Sequence, residues 1–215
     1  VREIIITDAV FRDATVNWQE TEKRIKTKVD FSKLTIVQGF IGGDLNGNTT
    51  TLGREGSDFT AGIFAYCLDA ESLTIWKDVL GVLNADPREF KEVQLLEHIS
   101  YEETIEMPFY GASVIHPKTI KPIQNKKIPL IVRSFKNLNS PGTKVSDGVT
   151  LEPTIPCLIV KKNQVLVSIS SLDFSFIVEE NISDIFKLFH KYQLKVNLIQ
   201  NSAISFSVCF DNNLN

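Results

Sequence analysis

The chain has 215 residues, of which 43% are apolar and 23% are charged, and its formal net charge is −3 at pH 7. These values are ordinary for a globular protein, and no basic stripe or arginine cluster indicates a nucleic-acid partner. No apolar run approaches the length of about 18 residues that a membrane-spanning helix needs. The three cysteines, at positions 67, 157 and 209, are scattered and favour neither a disulfide framework nor a zinc site. We therefore expect a cytoplasmic protein with no nucleic-acid or membrane partner.

Strands and helices are predicted to alternate along the first 149 residues. Short β-branched runs predict buried strands, and polar or amphipathic segments predict helices. The predicted strands are residues 3–7, 34–38, 73–76 and 129–135. Helices are predicted over residues 17–28, after an N-cap at Ser57, after the capping box Ser100-x-x-Glu103, and over residues 118–125. This order is typical of an α/β domain with a buried sheet. The sequence begins inside or directly before the first predicted strand, so we expect further sequence upstream.

The composition changes between residues 137 and 156, which are rich in Asn, Ser, Pro, Gly and Thr. We place a domain boundary there, near Val149, so that residues 1–149 form one domain and residues 150–215 a second. The elements predicted in the second domain are strand segments at 155–160 and 165–170, a helix at 183–191, and strands at 194–200 and 204–210. This β-α-β-β order predicts a small α+β module that stops before a closing helix and strand.

The segment GFIGGDLNGNTTTLGREG, residues 39–56, contains six glycines and predicts a long loop that leads into a helix. Glycines let backbone N–H groups approach a ligand, and a helix N-terminus offers free donors to an anion. Arg54 and Asp58 lie at the mouth of that helix and suit a zwitterion, the guanidinium for a carboxylate and the carboxylate for an ammonium. The alternative is a flexible loop that ends in an N-cap with a local Arg–Asp ion pair. No G-K-[ST] follows the glycines, so the segment is not a Walker motif.

Together with its neighbours, this segment carries a resemblance to a known family. QGFIGGDLNGNTTTLGREGSDFTA resembles the aspartate-binding segment of the aspartate kinases, which are members of the amino acid kinase family. The likeness continues through LTIWKDVLGVLNADPREF, FYGASVIHPKTIKPIQNKKIPLIVRSF and NSPGTKVS. Residues 155–215 resemble the first ACT module that follows the kinase domain, with NLIQNSAISFSV similar to its effector-facing strands. The implied fold is α/β: the C-terminal part of a three-layer amino acid kinase sandwich, then an incomplete ferredoxin-like ACT module.

The resemblance implies three sets of binding residues. The aspartate-binding positions are Phe40, Arg54, Ser57 and Asp58, with Arg54 for the α-carboxylate and Asp58 for the α-ammonium. The ATP-binding positions are Lys77, Asp78, Leu83, Arg88, Ser113 and Val114. Leu83 stands where an aromatic residue is usual, and Ser113 stands where the segment FGAKVLHP of relatives has its lysine. The effector-binding positions are Asn197, Asn201 and Ser202, expected at an interface between two ACT modules.

The residues alone leave open whether Asp78, Arg88 and His116 have functional or structural roles. Asp78 and Arg88 are equally compatible with capping turns, since each lies at a strand end or beside Asp-Pro. His116, before Pro117, favours a structural role at the start of a helix over that of a catalytic base. The reaction needs no base, because a β-carboxylate is already ionised near neutral pH. We therefore name no catalytic residue and no metal ligand. With ATP and Mg²⁺ as cofactors, catalysis would rest on positioning and on the neutralisation of phosphate charge by lysine, backbone N–H groups and Mg²⁺.

The resemblance implies ATP-dependent phosphorylation of the β-carboxylate of L-aspartate, which gives 4-phospho-L-aspartate and opens lysine, threonine and methionine biosynthesis. An amino acid effector, lysine or threonine, would act through the ACT module, and such modules would join a homodimer or a higher homo-oligomer. The opening K-F-G-G-T segment of the family is absent from this sequence, so we expect the fragment alone to be inactive. The alternatives are another amino acid kinase and a non-catalytic, amino-acid-binding regulatory protein. The effector and a fusion to homoserine dehydrogenase are left open.

Overall fold

The chain folds into two compact units. The computed structural model describes residues 1–10, 12–30, 32–112, 115–173 and 175–212. The first unit spans residues 1–159 and the second spans residues 160–215. Within the described ranges, no helix is both long enough and apolar enough to cross a membrane.

The division between the units falls after Ile159 and not near Val149. The segment between these positions is held by the first unit through backbone hydrogen bonds. The Glu152 N–H donates to the His98 carbonyl at 2.9 Å, and the His98 N–H donates to the Glu152 carbonyl at 3.2 Å. A change in composition marks a connecting segment, but its hydrogen bonds decide which unit it joins.

The described part of the first unit contains four helices, and three of them begin at a capping side chain. They are α1 (Trp18–Lys28), α2 (Gly56–Cys67), α3 (Tyr101–Tyr110) and α4 (Pro117–Asn125). The Asn17 side chain accepts the Glu20 N–H at the start of α1. The predicted capping box of Ser100 and Glu103 is present at the start of α3. The helices predicted over 17–28, after Ser100 and over 118–125 are therefore confirmed.

Helix α2 begins earlier than its predicted N-cap. Glu55 is the N-cap residue, with a left-handed φ of 54° and no side-chain cap hydrogen bond. The Phe59 N–H already donates to the Glu55 carbonyl at 3.1 Å, so the helical ladder starts there. The prediction of Ser57 as N-cap is wrong, because Ser57 lies inside the first turn. Glutamate is not among the residues preferred at an N-cap, so the sequence pattern did not predict Glu55 in this position.

The first unit contains a small hairpin and a mixed sheet. Its strands are β1 (Ile41–Gly43), β2 (Thr49–Thr51), β3 (Leu73–Lys77), β4 (His98–Ser100), β5 (Leu130–Ser134) and β6 (Thr143–Ser146). β1 and β2 form an antiparallel hairpin inside the segment predicted as one long loop. The other strands form a sheet in the order β3-β5-β6-β4, in which β3 and β5 are parallel. The strands predicted at 73–76 and 129–135 are confirmed.

Two predicted strands of the first unit are wrong. Residues 3–7 make only isolated bridges, from Ile6 to Gly43 and from Thr7 to Val16. Residues 34–38 have no assigned strand, and the side chains of Leu34 and Ile36 are 93% and 89% exposed. A β-branched run predicts an extended backbone, but a strand also needs a neighbour, and in the described part of the chain no strand pairs with this segment.

Helix α2 joins two apolar cores. One core surrounds the mixed sheet and includes Ala65 of α2. The other includes Phe59, Ile63 and Cys67 of α2, together with residues of α1. Ala61, Phe64, Ala65 and Leu68 have the spacing of a single apolar stripe, but of these only Ala65 is buried. A helix that is apolar on several faces packs on several sides, so α2 and its N-terminus are firmly positioned.

The second unit is a helix packed on a three-stranded sheet. Its elements are β7 (Gln164–Ser170), α5 (Glu179–Lys191), β8 (Val196–Asn201) and β9 (Ser205–Asp211). The sheet order is β7-β9-β8, with β9 antiparallel to both neighbours, which makes a split β-α-β unit. Aromatic rings join the layers, Phe186 against Phe206 and Phe189 against Phe210. The predicted β-α-β-β order is confirmed, except that residues 155–160 form no strand and residues 155–159 belong to the first unit.

Candidate functional site

The glycine-rich segment is ordered by its own side chains. Asp44 closes the turn between β1 and β2 by accepting the N–H groups of Asn46 and Asn48 at 2.9 and 2.8 Å. The Asn48 amide also donates to Asp44, and this bond is the main cause of a lowered pKa of the Asp44 carboxyl. At the other end of the hairpin, the Thr50 and Thr7 hydroxyls lie 2.6 Å apart. The loop therefore presents a defined surface and not a flexible one.

Gly39 and Phe40 lie against the N-terminus of α2. A Cβ on Gly39 would lie 3.0 Å from the Cα of Ser57, so a side chain there would require Ser57 to shift by a few tenths of an ångström. The Phe40 N–H donates to the Thr60 hydroxyl at 3.0 Å, and the Phe40 carbonyl accepts the Leu52 N–H at 2.9 Å. The Phe40 ring is 46% exposed. Two predicted aspartate-binding positions, Phe40 and Ser57, are thus brought together.

A cavity of about 610 Å³ opens beside these residues, along α2. Gly39, Ser57 and Thr60 line it at the N-terminal end of the helix, and Phe64 and Leu68 line it further along. Its volume is in the range of small-molecule sites. The predicted aspartate-binding segment therefore borders a cavity with hydroxyl groups at one end and apolar groups at the other.

Arg54 is held at the helix mouth by its neighbours. Gly53 has a φ of 79°, and a Cβ there would lie 2.5 Å from Asp13 Oδ1. The Glu55 carboxylate accepts the backbone N–H of His116 at 2.9 Å, which ties the loop to the start of α4. The Arg54 side chain itself is exposed, and in the described residues no carboxylate pairs with it. Its guanidinium is thus available to an anionic ligand.

Asp58 pairs with a lysine from the sheet and not with Arg54. The Lys77 Nζ lies 3.0 Å from Asp58 Oδ2, and their side chains are 23% and 19% exposed. Asp58 lies in the first turn of α2, where the helix dipole also favours a negative charge. The local Arg–Asp ion pair considered from the sequence is therefore absent among the described ion pairs. This contact joins a predicted aspartate-binding residue to a predicted ATP-binding residue.

The other predicted ATP-binding positions are more dispersed. Asp78 follows Lys77 at the carboxyl end of β3, with Lys136 Nζ at 3.9 Å. Leu83 forms an isolated bridge with Leu95. Arg88 is exposed, and its guanidinium donates to both carboxylate oxygens of Asp86. Ser113 and Val114 lie outside the described residues. Arg88 therefore caps its own turn, which is the structural alternative that the sequence left open. Of the described ATP-binding positions, Lys77 and Asp78 are the nearest to the N-terminus of α2.

His116 has the structural position that the sequence favours. It is the N-cap of α4, and its Nδ1 accepts the Lys118 N–H at 3.2 Å. Its backbone N–H is the group that binds Glu55. Sequence reasoning missed Glu55 and Thr60 as supports of the site. Neither carries a motif, because each acts through a contact with a residue distant in the chain.

The predicted effector positions do not converge. The Asn197 amide donates to Gln164 Oε1 at 2.6 Å and to Asp211 Oδ1 at 3.0 Å, and its Oδ1 accepts from Lys161 at 2.7 Å. Asn201 is paired with Phe206, whose ring contacts α5, so Asn201 belongs to the helix-covered face. A register shift between Val196 and Leu198 separates the two asparagines onto different faces.

Ser202 lies in the turn between β8 and β9. Its hydroxyl is 2.6 Å from the Ser205 hydroxyl, and its backbone N–H donates to the Ser205 carbonyl at 2.8 Å. Asn201 is the last residue of β8, so Asn201 and Ser202 are adjacent at one end of the strand. Asn197 lies near the other end. The three residues thus divide into a pair at the turn and a single side chain engaged elsewhere.

Comparison with known sequences gives the family. The profile of the amino acid kinase family matches residues 1–134. The chain belongs to the amino acid kinase family. Within this family it is similar to lysine-sensitive aspartokinase 3 of Escherichia coli, with 35% identity over 178 residues that cover 83% of this chain and 39% of the relative. It is also similar to a bifunctional aspartokinase/homoserine dehydrogenase of Buchnera aphidicola, with 33% identity over 94% of this chain and 25% of the relative.

Solved structures of family members give the same picture. The structure of E. coli aspartokinase III in complex with lysine and aspartate superposes with a TM-score of 0.80 at 32% identity, over 98% of this chain and 48% of that chain. Clostridium acetobutylicum aspartate kinase superposes with a TM-score of 0.86 at 27% identity, over the same shares of the two chains. This family member thus spans about half the length of the solved aspartate kinases, and a quarter to two fifths of the curated relatives above.

Proposed function

We propose that the protein carrying this chain transfers the γ-phosphoryl group of ATP to the β-carboxylate of L-aspartate. The observation that carries the proposal is the convergence of Phe40, Arg54, Ser57 and Asp58 at the N-terminus of α2, beside the carboxyl end of β3. Ligands of α/β sheets bind at the carboxyl ends of strands. The similarity to E. coli aspartokinase III, solved with aspartate and ADP, supports the same assignment.

The proposed reaction requires positioning and no base. A β-carboxylate oxygen of aspartate attacks the γ-phosphorus, the bond from that phosphorus to the β–γ bridging oxygen breaks, and ADP leaves with the bond's electron pair. Aspartate's carboxyl is ionised at neutral pH, so no proton is removed. Arg54 would bind the α-carboxylate, and Asp58 would accept from the α-ammonium. The product, 4-phospho-L-aspartate, would open lysine, threonine and methionine biosynthesis.

Mg²⁺ fits this proposal as part of the nucleotide substrate. Among the described residues, no group of three or more His, Cys, Asp or Glu side chains could hold a metal ion. Mg²⁺ is commonly bound through substrate phosphates with one or two carboxylates, and it then neutralises phosphate charge. Asp78, at the end of β3, is the carboxylate closest in sequence to Lys77 and is the side chain that we expect to face MgATP.

The proposal is tested by assaying the complete gene product with MgATP and a panel of L-aspartate, L-glutamate and N-acetyl-L-glutamate. Hydroxylamine traps an acyl phosphate as a hydroxamate, so product formation is read directly. We expect hydroxamate with aspartate alone. Hydroxamate from glutamate or acetylglutamate would identify another amino acid kinase, and aspartate binding without any hydroxamate would identify a non-catalytic, amino-acid-binding protein.

We further propose that the second unit is an ACT module that binds lysine or threonine and joins two or more copies of the protein. Its split β-α-β order and the position of β8 as an outer strand of the described sheet support this. Asn201 offers a short donor and acceptor at the β8–β9 turn, beside Ser202, whose hydroxyl also lies 2.6 Å from that of Ser205. Because the Asn197 amide is engaged by Lys161, Gln164 and Asp211, its part is to shape the module.

A further inference from the structure

Two ammonium groups have the Asp58 carboxylate as their partner: that of Lys77 in this structure, and that of the substrate under the proposed function. Lys77 Nζ lies 3.0 Å from Asp58 Oδ2, and about a fifth of each side chain is exposed. Under the proposed function, the same carboxylate accepts the α-ammonium of aspartate. The lysine ammonium is chemically the same kind of group, and in this structure it pairs with Oδ2 of the carboxylate that the substrate ammonium would bind.

A second ammonium on Asp58 would lie close to Lys77 Nζ. Two cations at this separation repel, and the repulsion is stronger where water is partly excluded. Binding of the substrate ammonium is therefore favoured when Lys77 moves to another anion. Its four-carbon stem is flexible, whereas its backbone is fixed in β3, which pairs with β5 through the whole run from Leu73 to Lys77.

The carboxyl end of β3 offers Lys77 a second partner when nucleotide is present. Lys77 is the last residue of β3, and the Phe135 N–H, just after β5, donates to its carbonyl at 2.9 Å. Phosphates bind at such ends of parallel strands, and lysine binds phosphate as a point charge. A largely buried lysine released from Asp58 would thus be paired again by the nucleotide and would not be left without a counter-ion.

We propose that Lys77 is a positioning residue that couples the two substrate subsites: it leaves Asp58 when the α-ammonium of aspartate binds, and it then binds the nucleotide phosphates. This inference rests on the proposed function. Its consequence is positive and reciprocal coupling, in which aspartate tightens nucleotide binding by the same factor as nucleotide tightens aspartate binding. If Lys77 had a purely structural role, its substitution would change the affinities for aspartate and for nucleotide without changing the coupling between them.

The test measures binding of the β,γ-imido analogue of ATP with Mg²⁺ to the complete gene product, by calorimetry, with and without saturating L-aspartate. We expect aspartate to tighten analogue binding about tenfold in the parent. In Lys77→Met and Lys77→Gln the factor should fall to about one, because no cation passes between the subsites. Lys77→Arg, which keeps the charge, should restore most of the coupling. Lys26→Met, which removes a lysine–carboxylate pair of 2.6 Å on α1, should behave as the parent does.

The outcomes separate this inference from the function on which it rests. Failure of the parent to bind aspartate overturns the proposed function. Aspartate binding without coupling in the parent overturns the role of Lys77 alone, and this result needs no variant to fold. Coupling that persists in Lys77→Met and Lys77→Gln also overturns it.

Discussion

The two units each carry a polar cluster, and the clusters differ in how completely their side chains are paired. At the N-terminus of α2, the Arg54 guanidinium and the Ser57 side chain are exposed, while Asp58 has one charged partner from β3. On the sheet of the second unit, Asp211, Asn197, Gln164 and Lys161 bond to one another. Of the first cluster, Ser57 lines a cavity of about 610 Å³ that runs along α2.

This difference teaches how to distinguish a binding site from a structural network. A polar side chain that has its partners within the fold stabilises that fold, and a ligand must break its bonds before it can bind. A polar side chain that is positioned but not paired keeps its bonding capacity for a ligand. Arg54 combines the two properties: Gly53 and Glu55 fix its backbone, and its side chain has no charged partner among the described ion pairs.

The largest expected effect is at Arg54. In the complete gene product, Arg54→Ala should raise the KM for aspartate about a hundredfold, because a charged contact to the α-carboxylate is worth about 2–5 kcal/mol. The KM for ATP and the unfolding temperature should stay close to those of the parent. Arg54→Lys should give a smaller rise, since an ammonium binds a carboxylate through one point of contact. Steady-state kinetics measures all of these.

A matched arginine tests whether the effect is local. Arg24 pairs with Glu20 on α1, and Arg24→Ala should leave the KM for aspartate unchanged. Equal rises in the KM of ATP and aspartate for Arg54→Ala would contradict a dedicated aspartate contact.

The second effect separates the effector pair from the network. Asn201→Ala and Ser202→Ala should each shift the inhibition midpoint for lysine or threonine about fivefold, the worth of one hydrogen bond of about 1 kcal/mol. Activity without effector should be retained. Asn197→Ala should instead lower the unfolding temperature of the second unit, because Lys161, Gln164 and Asp211 each lose a partner. Inhibition curves of Asn201→Ala and Ser202→Ala that overlay the parent's would place the effector elsewhere.

The smallest effect concerns pH. Hydrogen bonds from Gln164 and Lys161 lower the pKa of Asp211 from 3.8 to about 2. The folded state therefore holds this carboxyl ionised more strongly than the unfolded state does. The stability that this adds is complete above pH 3.8 and is lost as the pH falls towards about 2. Asp211→Asn should reduce the loss of stability in this window. Thermal unfolding between pH 5 and pH 2 measures it, and the fall in the unfolding midpoint should be smaller than the parent's by on the order of one to a few degrees.

Asp173 provides the control for that measurement. Its pKa is also lowered, by the side chain and backbone of Ser175, but this contact is local and joins no two strands. Asp173→Asn should leave the midpoint at neutral pH nearly unchanged, whereas Asp211→Asn should lower it. Equal midpoints for the two variants would show that the network adds nothing beyond a local bond.

The sequence by itself determined much of the fold. It determined α1 through its polar composition, and α3 and α4 through their capping residues, because a cap acts within one turn and is therefore visible in the local sequence. It also determined β3 and β5, whose apolar runs lie between clear turns. The motif that contains Arg54, Ser57 and Asp58 indicated the family, which the match over residues 1–134 bears out.

Only the tertiary structure decided which extended runs became strands and which polar groups met. Residues 34–38 have the propensity of a strand but lack a paired neighbour, and pairing is a non-local property. The partner of Asp58 is Lys77, 19 residues away in the sequence and not the nearby Arg54 that the motif suggested. A register shift in β8 placed Asn197 and Asn201 on different faces of the sheet. A regular strand would have put residues four apart on one face, so one extra residue in the pairing decided that Asn197, and not Asn201, bonds to Gln164 and Asp211.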